Sequence, residues 1–229
     1  MVRSGFSKEL VQLQGEILKM GTLVDELVYK AVKSMIRKDE VLAREVIATD
    51  DVVDDLAMEI ERRCLSLIAL QQPMAKDLRV IGAALRLIVD LERMADLAEG
   101  LARLSIRLKD QEYIKPLIDI PRMGELVRTM LSKSLKSYVE EETSPSWSLI
   151  EDERIMDALY EQVFRELLAL MMAEPANINQ ATSLLLAAGH LERIGDHITN
   201  VGEMVIYMVE GQRVDLNCLA RSSDGSSRK

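Results

Sequence analysis

The sequence is poor in aromatic residues and in the residues that form turns. Only 3% of its 229 residues are aromatic, and it contains 5 Pro and 11 Gly. A β-sandwich needs frequent turns between strands rich in aromatic and β-branched residues, so this composition argues against an all-β fold. Collagen-like and low-complexity chains are excluded as well, because apolar residues make up 48% of the chain and charged residues 29%.

Cations, cysteines and long apolar runs are also scarce. The chain has 29 Lys plus Arg against 38 Asp plus Glu, a formal net charge of −9. This argues against nucleic-acid binding, which depends on clustered cations. Cys64 and Cys218 are far apart in the sequence, so we expect two free thiols. The longest uncharged stretch, residues 175–191, is too polar to span a bilayer, and the charged N-terminus predicts no export signal and a cytoplasmic protein.

The sequence is rich in helical periodicity. Apolar residues recur at steps of three and four, with no sustained alternation. Pro73 and Pro175 interrupt the pattern because proline cannot continue a helix interior, and Pro116 and Pro121 mark the most broken stretch. The small polar residues at the end predict a disordered tail over residues 212–229. The periodicity predicts six long helices, over residues 7–38, 39–70, 74–109, 122–142, 147–173 and 177–210.

The second half of the chain repeats the first. A shift of 100 residues places the run Leu-Glu-Arg-Met-Ala-Asp at 91–96 on Leu-Glu-Arg-Ile-Gly-Asp at 191–196, and a shift of 102 places Pro73 on Pro175. The difference between the two shifts falls in the connection after the proline, where insertions are tolerated. The sequence therefore predicts an all-α protein of two pseudo-repeated three-helix bundles side by side, over residues 1–115 and 116–211.

Several acidic residues lie where an apolar stripe should continue. At about 100° per residue, the apolar stripe of the third helix runs on into Glu92 and Asp96, and that of the sixth helix into Glu192 and Asp196. A half-buried carboxylate is destabilising unless a cation or a metal neutralises it. On these two helices, metal ligation and a structural salt bridge to arginine are equally open.

The second and fifth helices carry matching acidic pairs four residues apart, Asp51 with Asp55 and Glu153 with Asp157. In isolation these pairs are typical of solvated helix faces. Each half has two such pairs at matching places. This recurrence favours metal binding, because like charges at this spacing destabilise a helix unless a cation compensates. Hard oxygen ligands suit such a cation. Without metal, the acidic rows would serve a helical adaptor as docking surfaces for partners.

Other kinds of site find less support. Ferritin-like di-iron proteins need Glu-x-x-His on two helices, whereas Ala187 precedes His190 by three residues and Ile194 precedes His197. The sequence has no phosphate-cradling glycine loop, nucleophile elbow or Cys–His couple, so we predict no catalytic residues and no enzyme activity. We interpret His197 as a structural hydrogen-bonding residue and Cys64 as a buried apolar side chain.

Two runs of residues resemble a known family. Residues 191–203, Leu-Glu-Arg-Ile-Gly-Asp-His-Ile-Thr-Asn-Val-Gly-Glu, are similar to the C-terminal signature of the PhoU phosphate-uptake regulators, and residues 72–79 with 90–96 supply the companion pattern. The resemblance covers residues 7–211. It implies two three-helix bundles, a homodimer, and negative regulation of phosphate uptake and of the phosphate-starvation response. The implied partners are the ATPase of the phosphate-specific ABC transporter and the phosphate-sensing histidine kinase, through which the protein would meet a membrane only peripherally.

The resemblance also implies metal sites. In some PhoU proteins, an acidic residue followed four positions later by another binds multinuclear metal clusters, with iron or zinc as the expected metal. Gly195 and His197 of the second half stand where the first half has Ala95 and Leu97, so a difference in affinity between the two sites is expected. The matching pairs, two for each half, are Asp51/Asp55 and Glu92/Asp96, then Glu153/Asp157 and Glu192/Asp196.

Overall fold

The computed structural model describes residues 2–222, with side chains from residue 5 onward. Within these residues the chain is helical and has no β-strand, so the predicted all-α fold is confirmed. A single 3-10 turn, Pro175–Asn177, precedes α7. The helices are α1 Val2–Arg37, α2 Glu40–Gln71, α3 Lys76–Leu108, α4 Asp119–Glu140, α5 Ser144–Trp147, α6 Leu149–Ala173, α7 Ile178–Glu210 and α8 Leu216–Ser222.

Proline and residues in the left-handed conformation set the helix boundaries. Lys38 has φ 56° between α1 and α2, and Gln72 has φ 47° directly before Pro73. Asp39 caps α2 by accepting a hydrogen bond from the backbone N–H of Leu42 (3.0 Å), which satisfies one of the free donors of the first turn. The breaks predicted at the two prolines are therefore present.

The helices α3 and α7 form the middle of the molecule. α3 packs against α1, α2 and α7, while α7 packs against α3, α4 and α6, and α1 also touches α4. Two three-helix bundles, α1–α2–α3 and α4–α6–α7, therefore lie side by side. Both central helices bury residues on nearly all sides, as expected of a helix surrounded by others. Their buried alanines are Ala83, Ala84, Ala95, Ala98, Ala102, Ala181, Ala187 and Ala188.

The connection between the halves is tied to α7. The buried side chain of Gln180 accepts a hydrogen bond from the backbone N–H of Ile114 (2.6 Å) and donates one to the carbonyl of Glu112 (2.8 Å). α4 then begins at Asp119, three residues earlier than predicted. Pro121 is accommodated there because the first turn of a helix does not need its N–H groups for internal bonds.

The helix α8 corrects the disordered tail predicted from residue 212. Leu216 is buried and Ala220 is 2% exposed, and both lie on the face that α8 packs against α6 and α7. Asp215 accepts a hydrogen bond from the backbone N–H of Cys218 (2.7 Å) and begins the helix. The prediction is wrong for residues 216–222 because the polar composition concealed two apolar residues spaced for one helix face. Residues 223–229 lie outside the described part of the chain.

Candidate metal centres

In the second half, α6 and α7 bring four acidic residues together. Glu153 and Asp157 lie one turn apart on α6, and Glu192 and Asp196 lie one turn apart on α7. The charges of Asp196, Asp157 and Glu192 all act on Glu153 and raise its pKa. The structure thus places all four residues predicted for the second site in one group.

Glu153 is the buried member of this group. It is 1% exposed, and neither carboxylate oxygen has a hydrogen-bond partner among the described residues. Burial, followed by the charge of Asp196, raises the pKa of Glu153 to about 8. Gly195 lies beside it, and a Cβ there would be in ordinary van der Waals contact with Oε2 of Glu153 (3.5 Å). A buried carboxylate without a partner is destabilising, so Glu153 lacks a donor or a cation among the described residues.

The other acids of the group are less buried. Burial raises the pKa of Glu192, and the charges of Asp196 and Asp157 raise it further. Asp196 accepts a hydrogen bond from the side-chain amide of Asn217 on α8 (3.0 Å). The three other carboxylates form an acidic patch around the buried Glu153.

In the first half, α2 contributes a different pair of residues from the one predicted. Burial, followed by the charges of Glu99 and Asp96, raises the pKa of Asp50 to about 6. Burial and the charge of Asp96 also raise the pKa of Asp54, and burial and the charge of Asp54 raise that of Glu92. The first acidic group therefore consists of Asp50, Asp54, Glu92, Asp96 and Glu99.

The predicted residues Asp51 and Asp55 are exposed and lie outside the half-buried face of α2. The prediction used a shift of 102 residues, whereas a shift of 103 places Asp50 on Glu153 and Asp54 on Asp157. A difference of one residue turns the pair by about 100° around the helix. The apolar stripe of α2 indicates the half-buried pair, because it runs from Val46 through Asp50 to the buried Val53.

Arginines lie at the outer edge of the first group. Arg93 pairs with Asp96 (2.9 Å) and Arg103 with Glu99 (2.5 Å), and both arginine side chains are exposed. Oδ1 of Asp50 is buried and has no hydrogen-bond partner in the described part of the chain. Across residues 2–222, no three His, Cys, Asp or Glu side chains stand in positions that would hold a metal ion. Each group is therefore an open set of mutually repelling carboxylates.

His197 forms a hydrogen bond with Asp90, an acid that belongs to neither acidic group. Its Nδ1 donates a hydrogen bond to Oδ1 of Asp90 on α3 (2.9 Å), and the side-chain amide of Asn200 donates to the same oxygen (3.1 Å). Asp90 is 8% exposed, so this network lies in the interface between α3 and α7. The structural interpretation of His197 is confirmed, whereas the sequence analysis gave Asp90 no role.

The cysteines agree with their predicted states. Both are free, Cys64 buried and Cys218 exposed. Burial raises the pKa of the Cys64 thiol to about 12, which leaves it an apolar side chain. In addition, none of the helices in residues 2–222 combines the length and apolarity that crossing a membrane requires.

Comparison with known proteins identifies the family. The profile of the PhoU domain matches residues 17–105 and 120–205. The chain belongs to the PhoU family. Each matched PhoU segment contains one acidic group, and α8 lies beyond both segments.

The relatives cover nearly the whole PhoU chain. A protein of Aquifex aeolicus is 41% identical over 90% of this chain and 94% of its own length, and one of Clostridium acetobutylicum is 37% identical over 95% and 100%. Both are named "Phosphate-specific transport system accessory protein PhoU homolog".

Solved PhoU structures agree with the fold. The crystal structure of PhoU from Pseudomonas aeruginosa has a TM-score of 0.87 at 33% identity, covering 90% of this chain and 100% of that one. The phosphate transport system regulatory protein PhoU from Streptococcus pneumoniae has a TM-score of 0.86 at 31% identity, covering 92% and 99%. These agreements support the arrangement of two helical bundles.

Proposed function

We propose that this PhoU-family protein is a regulator without turnover that acts with a phosphate-specific transport system. The main support is similarity along almost the whole chain to relatives named as accessory proteins of that system. The protein would act in the cytoplasm as a homodimer. Its partners would be the ATPase of the phosphate-specific ABC transporter and the phosphate-sensing histidine kinase, with no nucleic acid bound.

A gene deletion tests the regulatory role. In phosphate-rich medium, loss of a negative regulator should raise the expression of phosphate-starvation genes, and the intact gene supplied in trans should restore repression. Unchanged expression in a strain with no second copy of the gene would contradict the role.

The same proposal assigns a metal to each acidic group. The supporting observation is the buried Glu153 carboxylate, whose two oxygens have no partner in the described residues, together with Oδ1 of Asp50. When bound, the metal would supply the positive charge that these carboxylates lack and would link the two helices that carry them. Oxygen ligands suit iron or zinc. The ligands would be Asp50, Asp54, Glu92 and Asp96 in the first group, and Glu153, Asp157, Glu192 and Asp196 in the second.

The second group is tested by Glu192→Gln combined with Asp196→Asn. Both changes keep the shape of the side chain while removing its charge. Metal content, measured on protein purified without chelators, should fall while helix content stays unchanged. A matched control removes two exposed charges from α4 with Glu125→Gln and Glu140→Gln. Equal metal loss in both variants would contradict the assignment.

The first group offers a control on the same helix. Asp50→Asn with Asp54→Asn should lower metal content, whereas Asp51→Asn with Asp55→Asn makes the same charge change on exposed positions and should leave metal content unchanged. If Asp51→Asn with Asp55→Asn lowers metal content and Asp50→Asn with Asp54→Asn does not, the pair predicted from the sequence is the ligand pair.

A metal-free adaptor is the second candidate function. It is favoured by the open arrangement of the acids, since no three ligating side chains among residues 2–222 converge on one point. In that case the acidic rows would dock partners directly. Protein that is purified without chelators, contains no metal and takes up none on titration would establish this function in place of metal binding.

A further inference from the structure

The C-terminal helix α8 is anchored over the second acidic group. Leu216 is buried at its start, where Cδ1 lies 3.4 Å from the position of a Cβ on Gly202 of α7. At its end, Nε of Arg154 on α6 donates a hydrogen bond to the carbonyl of Ala220 (3.2 Å). α8 is therefore held by both of the helices that carry the acids.

The polar side of α8 is directed at these acids. The amide of Asn217 donates to Oδ1 of Asp196 (3.0 Å), and its oxygen accepts from the hydroxyl of Thr199 (2.6 Å). Arg221, the basic residue in the last turn of α8, lines the same open cleft of about 730 Å³ as Asn217 and as Asp196 in the middle of α7. α8 thus supplies part of the compensation that a metal would provide.

The first acidic group is compensated in a weaker way. Asp96 and Glu99 pair with Arg93 and Arg103 of their own helix, and these arginine side chains are 58% and 62% exposed. Exposed pairs of this kind contribute little, so a metal would displace them easily. In the second group, the corresponding partner of Asp196 belongs to a separate helix with its own buried contacts.

We propose that α8 is an internal competitor for metal at the second acidic group. With α8 docked, Asn217 and Arg221 compensate the acids, so metal fills the first group before the second. Metal enters the second group only as α8 leaves, which a helix of 7 residues can do by local unfolding. This inference rests on the proposed metal binding.

Zinc titration of the chelator-treated, full-length protein tests the competition. The binding step that disappears in Glu192→Gln/Asp196→Asn identifies the second group. Asn217→Ala/Arg221→Gln should tighten that step about tenfold, because it removes one hydrogen bond and one opposing charge. The control is Arg213→Gln, which makes the same charge change at a residue that stacks on Tyr207 away from the acids. The control should bind zinc as the wild type does.

Cys218 provides a second measurement. Because Cys64 is buried, a nitroxide label attaches selectively to Cys218 on α8. Saturating zinc, which is diamagnetic, should increase the mobile fraction of the label spectrum, and Glu192→Gln/Asp196→Asn should abolish the increase.

The outcomes separate this inference from the metal proposal. If the wild type binds zinc at the second group but Asn217→Ala/Arg221→Gln does not tighten that step, or the label stays immobile, the competition is overturned and the metal site stands. Zinc uptake by Asn217→Ala/Arg221→Gln alone would support the competition directly. No uptake by either protein would overturn both proposals.

Discussion

Glu203 is half-buried and Glu153 is buried, and the surroundings of these two glutamates of the second bundle differ. Oε1 of Glu203 accepts a hydrogen bond from the backbone N–H of Leu216 (2.8 Å) and so attaches α8 to α7. Glu153 has no such partner in the described residues. Burial raises the pKa of both carboxyl groups. Glu203 thus serves a helix contact, while Glu153 remains available to a cation.

The raised pKa of Glu203 predicts a pH dependence of stability. In the folded state, Glu203 keeps its proton above its ordinary pKa of 4.5. The unfolding free energy therefore falls as the pH rises from 4.5 through the raised pKa of Glu203, by at most about 1.4 kcal/mol per pH unit. Glu203→Gln should reduce this slope in urea denaturation of the chelator-treated protein between about pH 4.5 and 8. Glu161→Gln, an exposed control, should keep it. A slope unchanged in Glu203→Gln would refute the prediction.

The two thiols should react very differently. Cys218 is exposed, whereas burial raises the pKa of Cys64 to about 12. Because the thiolate is the reactive form, a thiol reagent should modify one group per native chain and two in denaturant. Rapid modification of both thiols in the native protein would show that the α2 face around Cys64 opens.

At the scale of helices, periodicity alone predicted the long elements. The predicted helix over residues 39–70 corresponds to Glu40–Gln71, and that over 177–210 to Ile178–Glu210, because a helix that borders a core must repeat its apolar residues. The choice between Asp50 and Asp51 on α2 could not be made from spacing. Neighbouring acids offer two pairs of equal spacing, and the apolar stripe of α2, read from Val46 to Val53, distinguishes them. α8 was missed because tertiary contacts create so short a helix.

The contribution of the N-terminal cap of α2 to the stability of the protein can be measured directly. Asp39→Ala removes the acceptor for the backbone N–H of Leu42 and should lower the unfolding free energy by about 1 kcal/mol in urea denaturation. Asp110→Ala is the control, since the Asp110 side chain is 87% exposed and lies 3.9 Å from Lys109. An equal loss in both variants would show that charge, not capping, is responsible.

At the scale of the whole molecule, the two bundles also meet where α1 touches α4. A Cβ on Gly21 would lie 2.6 Å from Cδ2 of Leu135, so the two helices approach closely at this point. Gly15, on the same helix, has no atom within 4 Å of such a Cβ. Substitutions at these two glycines therefore separate the effect of packing between the halves on stability from the effect of intrinsic helix propensity.

Alanine substitutions should have opposite effects at these glycines. Gly15→Ala should stabilise the protein by up to about 1 kcal/mol through helix propensity. Gly21→Ala should destabilise it by about 1–3 kcal/mol, because the new methyl group overpacks the interface between the halves. Urea denaturation of both variants checks the pair, and stabilisation by Gly21→Ala equal to that by Gly15→Ala would mean that Leu135 moves aside without penalty.

The packing of α3 on α7 relates the two halves of the chain as a symmetric dimer relates its subunits. Equivalent helices of the two repeats meet, as the equivalent helices of two identical subunits would across a twofold axis. Asp90 bonds His197 and Asn200, and the symmetry-related contact places Nε2 of His190 3.0 Å from the position of a Cβ on Gly100. Identical subunits would have to make these two contacts alike. A single chain is free of that constraint, and here one contact is a hydrogen-bonded network while the other is a ring that fills the space above a glycine.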